Sequence, residues 1–542
     1  MAKFDCIADF VALKGANKLT PVEFALIEAC RQGGVFEITD ALPTASTPEN
    51  TIRAALLRVL ITGGTPDCRL SHLGVRLQGA YITGILDLCF AKARGLTQLK
   101  NCFFVEQPRL LHAQLNHLDL SNSEMPGLFA TKLVVDGLVS LVKVKSTGTI
   151  HLMGATISGQ LNCSDSDLEG DKIPSPTVES QDSQKSKPAL SANLIKVGGG
   201  ICLNGMSALG PVEINGASIK GQLLCNNMTI DGNGGDAFSV EGLTVSGSFQ
   251  WQANETTKIV GKVRLTGAHL SRITDNMKSW SNDLQLIGLT YDQIISTKIT
   301  AQDRLPWLAN GSNHNSIFYP QPYTQLAKVL FAMGHDREAK KILMARENLL
   351  GNVALQNLRA KPNGGTYLMF ENPLIDAQVC GAKAWFWTIG LLAGHGYAPF
   401  RALVAMLALI AVTTFLAYQA WSNGAFAPNS DVIVTSEAWQ LAMMNDCVPA
   451  PFPGCEPNPA LTWSNDRAQG IDWASFNALA YAADLALPVV ELGQTSAWAP
   501  SKDRGVWGET LWWASWWIEL LGWLFTVLGG AAITGLIQRS RE

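Results

Sequence analysis

The sequence has little charge. Asp, Glu, Lys and Arg make up 16% of its 542 residues, and 41 basic against 45 acidic side chains leave a net charge of −4. Nucleic-acid binding needs a basic excess to neutralise phosphates, so nucleic acid is excluded as a partner. Residues 1–15 hold no basic start followed by an apolar stretch, so no signal peptide is read. The part of the chain ahead of its apolar tail is then expected to stay in the cytoplasm. No cysteine pair has CxxC spacing. Cys6, Cys30, Cys68, Cys89, Cys102, Cys163, Cys202, Cys225 and Cys380 read as small buried hydrophobes rather than zinc ligands. The phosphate-loop, Gly-x-Ser-x-Gly and His-Glu-x-x-His motifs are missing. Gly198-Gly199-Gly200 precedes a strand rather than a helix and lacks dinucleotide-fingerprint spacing, so it reads as a coil corner. The eight His are isolated, and His112 and His117 share no face. Asp119, Asp165 and Asp167 admit a carbohydrate-type site but read better as solvated corners. No catalytic, metal-ligating or cofactor-binding residue is named, and no cofactor is expected.

Apolar runs are what the chain has in quantity. Residues 400–421 carry one charge, Arg401, and residues 511–537 one internal charge, Glu519. About 20 apolar residues cross a bilayer, because every backbone polar group must be satisfied within the segment. Two membrane-spanning helices are expected, with the lipid bilayer as first partner. Nine of the 16 Trp lie from Trp463 onward, as interfacial belts require. Arg401 precedes the first run, and Arg539 and Arg541 follow the second. Basic flanks mark the cytoplasmic side, so both termini are expected there, in a bacterial inner membrane, with residues 422–502 outside. Across an oxidising compartment Cys447 and Cys455 are a candidate disulfide; two free thiols are the alternative.

Ahead of the tail the pattern is repetitive. Residues 1–66 read as a helical cap, with Thr20-Pro21-Val22-Glu23 starting one helix and Thr47-Pro48-Glu49-Asn50 a second. From 67 to 297 one unit recurs: Gly79-Ala80-Tyr81-Ile82-Thr83-Gly84, Gly154-Ala155-Thr156-Ile157-Ser158-Gly159, Gly216-Ala217-Ser218-Ile219-Lys220-Gly221 and Gly242-Leu243-Thr244-Val245-Ser246-Gly247. Strands this short bury a face only by stacking coil on coil, with glycine at corners of positive φ. The five-residue step resembles that of pentapeptide-repeat and related right-handed parallel β-helices, which implies a mainly β solenoid; a β-sandwich is the alternative. Residues 173–187 interrupt it with a polar loop. Residues 298–383 hold a helical hairpin, with Tyr323, Leu326 and Leu330 on one stripe and Ile342 and Leu343 on the other. It resembles a single tetratricopeptide-type hairpin and is expected to pack on the open end of the solenoid or on a neighbouring subunit.

Residues 384–542 form the membrane module. Residues 384–394 suit an interfacial helix. Between the spans, residues 471–487 have helical period and run into Val489-Val490-Glu491-Leu492-Gly493-Gln494. Span, loop, short helix, extended segment, span is an order that resembles the pore module of potassium-type channels, without their Thr-Val-Gly-Tyr-Gly filter. If a pore forms, Asp484 and Glu491 are the candidate acidic rings, with Gln494 beside them and Glu519 as the polar group inside a span. The alternatives are a helix lying on the bilayer surface and a Glu519 held among interfacial Trp. Gly529-Gly530-Ala531 and Gly535 permit close helix contact and hence homo-oligomers. The layout, on Gln321-Pro322-Tyr323, Gly394-His395-Gly396-Tyr397 and residues 487–494, resembles a group of uncharacterised bacterial membrane proteins, some labelled membrane-associated oxidoreductases. Three readings follow: a cytoplasmic β-helix that senses or docks a protein partner coupled to a pore-like module, a membrane-anchored scaffold, and an oxidoreductase. A coloured cofactor in the purified protein would mark the third.

Overall fold

The computed structural model of the protein describes residues 18–65, 68–170, 187–255, 257–360, 372–398, 400–444, 458–465 and 469–533. Cys6, residues 173–186 of the polar loop, Cys447, Cys455, Gly535, Arg539 and Arg541 lie outside them. The chain divides into two compact units, Met1–Ile342 and Leu343–Glu542.

The first unit is a parallel β-solenoid closed at both ends by helices. Each coil has four short faces, as in the run Leu128–Phe129, Val134–Val135, Val139–Ser140, Lys145–Ser146 before Ile150–His151 begins the next coil. Taken from Val139–Ser140, these are the first (Val139–Ser140), second (Lys145–Ser146), third (Ile150–His151) and fourth (Thr156–Ile157) faces. Leu118 pairs with Val139 and Val139 with Leu161, so one coil takes 21 or 22 residues. The same ladder continues through Ile201, Leu223, Phe249, Ile273 and Ile294, all buried. Alternation along each strand turns one side chain inward per face, and stacking aligns these into apolar columns.

The two glycines of the repeat do different jobs. The first, as at Gly154, Gly216 and Gly242, is a corner at φ 66°, 62° and 63°. In these three copies the second is not left-handed, whereas in the first copy Gly84 is, at φ 81° with open space around it. Gly137, Gly159, Gly199, Gly221 and Gly247 stack in a ladder in which Gly159 donates to the Gly137 carbonyl, Gly199 to Gly159, Gly221 to Gly199 and Gly247 to Gly221, at 2.8–3.0 Å. A Cβ on Gly221 would lie 2.6 Å from the Gly199 carbonyl carbon and oxygen. Glycine is needed there because two backbones meet. Gly199, in the middle of the triple-glycine run, belongs to this ladder.

Helix Pro21–Gln32 closes the first coil. Thr20 accepts from the Glu23 N–H and the Glu23 carboxylate accepts from the Thr20 N–H, a capping box. The buried Glu23 carboxylate also holds Arg53 Nε at 2.8 Å and Nη2 at 2.7 Å. The second expected helix starts later than its sequence signal. Thr51–Arg53 is a strand paired with Tyr81–Thr83, and the helix is Ala54–Ile61. Strand pairing overrides the local cap, and the sheets reach back to Phe36–Glu37, inside the region read as purely helical.

At the other end, helix Ala301–Gly311 brings Arg304 onto Asp275, a bidentate pair at 2.7 and 2.6 Å with both side chains fully buried. Helix Gln321–Ala332 then covers the last coil. Gln321 donates to the Leu289 carbonyl, and Gln325 donates to that of Tyr291. The first hairpin helix therefore packs on the open end of the solenoid. Its partner, Asp336–Leu358, follows a turn at Gly334 and continues through the boundary between the units.

The second unit holds two helices long and apolar enough to cross a membrane, Phe400–Ser422 and Gly505–Ala531. Only 22% of each apolar window is buried, so most of this apolar surface faces outward, unlike a helix of a soluble core. The stretch read as a short interfacial helix is longer, Pro373–Ala393, capped by Asn372 and ended at left-handed Gly394. The second apolar helix begins at Gly505, six residues before its expected start. The short helix is Ala478–Ala486, not 471–487: Asn477 caps it through the Ala480 N–H, and Leu487 is extended ahead of Pro488.

Candidate functional site

The two apolar helices run antiparallel. A Cβ on Gly508 would meet that of Ala425 at 2.8 Å, and one on Gly529 would meet that of Ala402 at 3.5 Å. These contacts fix levels along the pair. Glu519 lies ten residues from Gly529 and eleven from Gly508, about 15 Å from each, at mid-level. Trp516, Trp517 and Trp523 lie within four residues of it on the same helix.

The short helix descends between them. At its upper end Phe476 stacks on Trp421 at 4.2 Å with 6° between the rings, beside Phe426 and Trp498. At its lower end the Ala486 carbonyl abuts Gly522, where a Cβ would come within 2.1 Å of the oxygen. Nine residues thus carry the chain from the Trp421 end to the level of Glu519. The chain then returns, because Trp498–Pro500 pairs with Phe426–Pro428 back at the Trp421 end. Tyr481, Ala482, Leu485 and Ala486 are buried against the flanking helices. A helix lying on the outside of this unit would not bury that face, so the geometry is that of a dip and return.

The returning segment is non-helical over residues 487–493, with Val489 79% accessible, and ends in one helical turn, Gln494–Ala497. Asn429 donates to the Thr495 carbonyl at 2.8 Å and Trp473 to that of Ala497 at 3.1 Å, and two further side chains hold it. Asp484 accepts from the Leu492 N–H at 2.6 Å, the Thr495 N–H at 2.7 Å and the Thr495 hydroxyl at 2.9 Å. Gln494 accepts from the Asn477 N–H at 3.0 Å and donates to the Ser475 carbonyl at 3.1 Å. Burial pushes the Asp484 carboxyl up, but the donors from Thr495 and Leu492 outweigh it and hold it below the usual carboxylate range.

Asp484, Glu491 and Glu519 line one open cleft of ≈ 180 Å³, together with Pro488, Val490 and Trp523. The cleft gathers all three acids singled out in the sequence. It also separates them: Asp484 is taken up in holding the loop, while Glu491 and Glu519 are exposed. Among the described residues no three His, Cys, Asp or Glu side chains form a metal-holding group. Gly522, which makes the close approach of the short helix possible, escaped the sequence reading; it lies beside Glu519 without a small partner four residues away. Gly529 packs on Ala402 of the same chain. In the solenoid, Asp119 is buried rather than a solvated corner and is engaged by Lys100 at 3.1 Å and by Ser121, while Asp165 occupies a left-handed corner and Asp167 a second-face strand. No protein-family model matches the chain, and no similar protein is found among the curated proteins or the solved structures.

Proposed function

We propose that this is an integral protein of a bacterial inner membrane whose two-span unit assembles with further copies around a cation-conducting path, and whose cytoplasmic solenoid senses or docks a protein partner. One observation carries the reading. The exposed non-helical stretch 487–493, which carries Glu491, lines one cleft with the exposed Glu519 of the second apolar helix, at mid-level of the two apolar helices. In hydrocarbon each unsatisfied backbone group costs several kcal/mol, and a carboxylate at mid-depth about 2.5–3.5 kcal/mol on insertion scales. Such a face is tolerable against water or protein. Glu491 and Glu519 attract cations there, while Asp484 keeps the loop in place.

Recordings from purified protein in planar bilayers test this. The wild type is expected to pass cations, with Glu491→Gln and Glu519→Gln each lowering conductance or cation preference. Silence from the wild type, or currents that neither variant alters, would remove the pore. The second reading, an anchored scaffold, is favoured by the long ladder of outward faces on the solenoid; it predicts that unrelated spans can replace the native pair without loss of partner binding.

A further inference from the structure

The corner between the third and fourth faces of the solenoid is left-handed in coil after coil. At each one but the last, where Gly288 donates to Gln321 Oε1, the corner N–H donates to the carbonyl of the residue just before the next corner: Phe90 to Leu111, His112 to Thr131, Lys132 to Met153, Leu194 to Asn215. Five of these corners are glycine, Gly154, Gly216, Gly242, Gly267 and Gly288, at φ 62° to 75°. Four carry side chains in the same conformation: Phe90, His112, Lys132 and Leu194, at φ 54° to 59°. A left-handed conformation is penalised in every residue type but glycine, least in Asn, Asp and His, and Phe90, Lys132 and Leu194 are none of these. The fold accepts glycine at the identical position, so it does not require these side chains. Nor do they fill the core: Phe90 is 73% and Leu194 62% exposed, and Met153 beside Gly154 is 44% exposed. Phe90 and His112 stack on each other at 5.2 Å. The strained side chains point outward and occupy four of the first five corners of this edge, with Gly154 between Lys132 and Leu194; Lys143, at φ 54°, takes the same conformation at the corner between the first and second faces.

Charge follows the same boundary. Within three residues of the corners from Phe90 to Leu194 stand Lys92, Arg109, Lys132 and Lys196 against Asp87, which is 4 − 1 = +3 with His neutral, on a chain of net −4. Around the four later glycine corners Arg264 stands against Glu213 and Glu241, which is 1 − 2 = −1. Apolar tips and cations therefore occur together and stop together. Five coils at about 4.8 Å make a ridge about 19 Å long and one residue wide. A ridge offers no groove to a peptide. Projecting apolar side chains flanked by Lys and Arg are what the boundary of an anionic bilayer takes up, the tips entering the interface and the cations meeting headgroups.

We infer that this edge, tipped by Phe90, Met153 and Leu194 and flanked by Lys92, Arg109, Lys132 and Lys196, docks on an anionic lipid surface. The inference rests on the reading of the two apolar helices as spans, which keep lipid within reach of the chain at high effective concentration. A benzophenone side chain at residue 90 of the full-length protein tests it. In phosphatidylcholine–phosphatidylglycerol vesicles, irradiation is expected to give a lipid adduct. The adduct is expected to be lost in pure phosphatidylcholine and in the triple variant Lys92→Gln, Lys132→Gln, Lys196→Gln. Phe90→Gly and Leu194→Gly are expected to fold as the wild type does, because glycine already serves at five equivalent corners. If the protein withstands an alkaline carbonate wash and yet gives no lipid adduct with phosphatidylglycerol, the docking is overturned and the spans stand. If the wash releases it, the spans fail and the docking with them. An adduct to another protein in cells, without a lipid adduct, overturns the docking in favour of a protein partner.

Discussion

Replacing Gly221 by Ala tests the claim that the second glycine of the repeat is fixed by backbone contact rather than by conformation. The added methyl would stand 2.6 Å from both the carbonyl carbon and oxygen of Gly199 and 2.8 Å from the Gly200 nitrogen, all backbone atoms. They cannot withdraw freely, because the Gly221 N–H is bonded to that same carbonyl at 2.8 Å and Gly247 is bonded to Gly221 in turn. Overpacking of this kind costs about 1–3 kcal/mol, and a strained or broken ladder bond about 1 more, so about 3 kcal/mol is expected. The control is Gly242→Ala. It sits at φ +63° with nothing within 4 Å of the new carbon. Its penalty is the left-handed conformation alone, about 1–2 kcal/mol, partly offset by lower unfolded-chain entropy, for about 1 kcal/mol net. Native-state hydrogen exchange in detergent reads both. Amides in the coils around Gly199 and Gly221 are expected to lose protection about 100-fold in Gly221→Ala, since 1.4 kcal/mol is a factor of ten. Equal protection in the two variants, or a larger loss in Gly242→Ala, would refute the reasoning.

Three further expectations follow from the same geometry. Gly522→Ala drives a methyl to within 2.1 Å of the Ala486 carbonyl oxygen, so limited proteolysis should open residues 487–497 while the solenoid stays intact. Asp484→Asn removes charge from the acceptor of three donors and should loosen the same segment. The wild-type carboxyl lies below its ordinary 3.8, so its contribution is complete above that pH and fades only as pH falls through the lower folded value; exchange of the Leu492 and Thr495 amides against pH reads this directly. Arg304→Met leaves the buried Asp275 carboxylate with the Trp280 N–H as its remaining side-chain donor and should cost the solenoid about 3–5 kcal/mol in denaturant unfolding.

Much of the solenoid was legible because each coil repeats its own chemistry. Gly-Ala-x-Ile-x-Gly sets the corner, the inward Ile and the close approach, and it recurs often enough to be seen in one sequence. What the pattern could not separate was why each glycine is there: φ decides at Gly154 and Gly216, and the carbonyl of the preceding coil decides at Gly159 and Gly221. The helix expected from Thr47 gave way to strand pairing with Tyr81–Thr83, a contact invisible locally. In the membrane unit the order of segments was readable from hydropathy, and so were the polar residues worth watching. Their levels were not. Glu519 falls among Trp in sequence, yet the contacts of Gly508 and Gly529 place it midway along the helix pair. Asp484 and Glu491 looked alike as acids; only the donors around Asp484 show that it holds the loop and leaves Glu491 and Glu519 exposed in the cleft.

The central claim is that the segment after the short helix reaches the middle of the bilayer and faces water there. The rate at which a membrane-impermeant thiol reagent modifies Glu491→Cys in reconstituted vesicles, set against Leu407→Cys on the exposed side of the first apolar helix and corrected for the wild type, measures this. The account predicts rapid modification at 491 and none at 407. Protection of both positions, or reaction at 407 as fast as at 491, would contradict it.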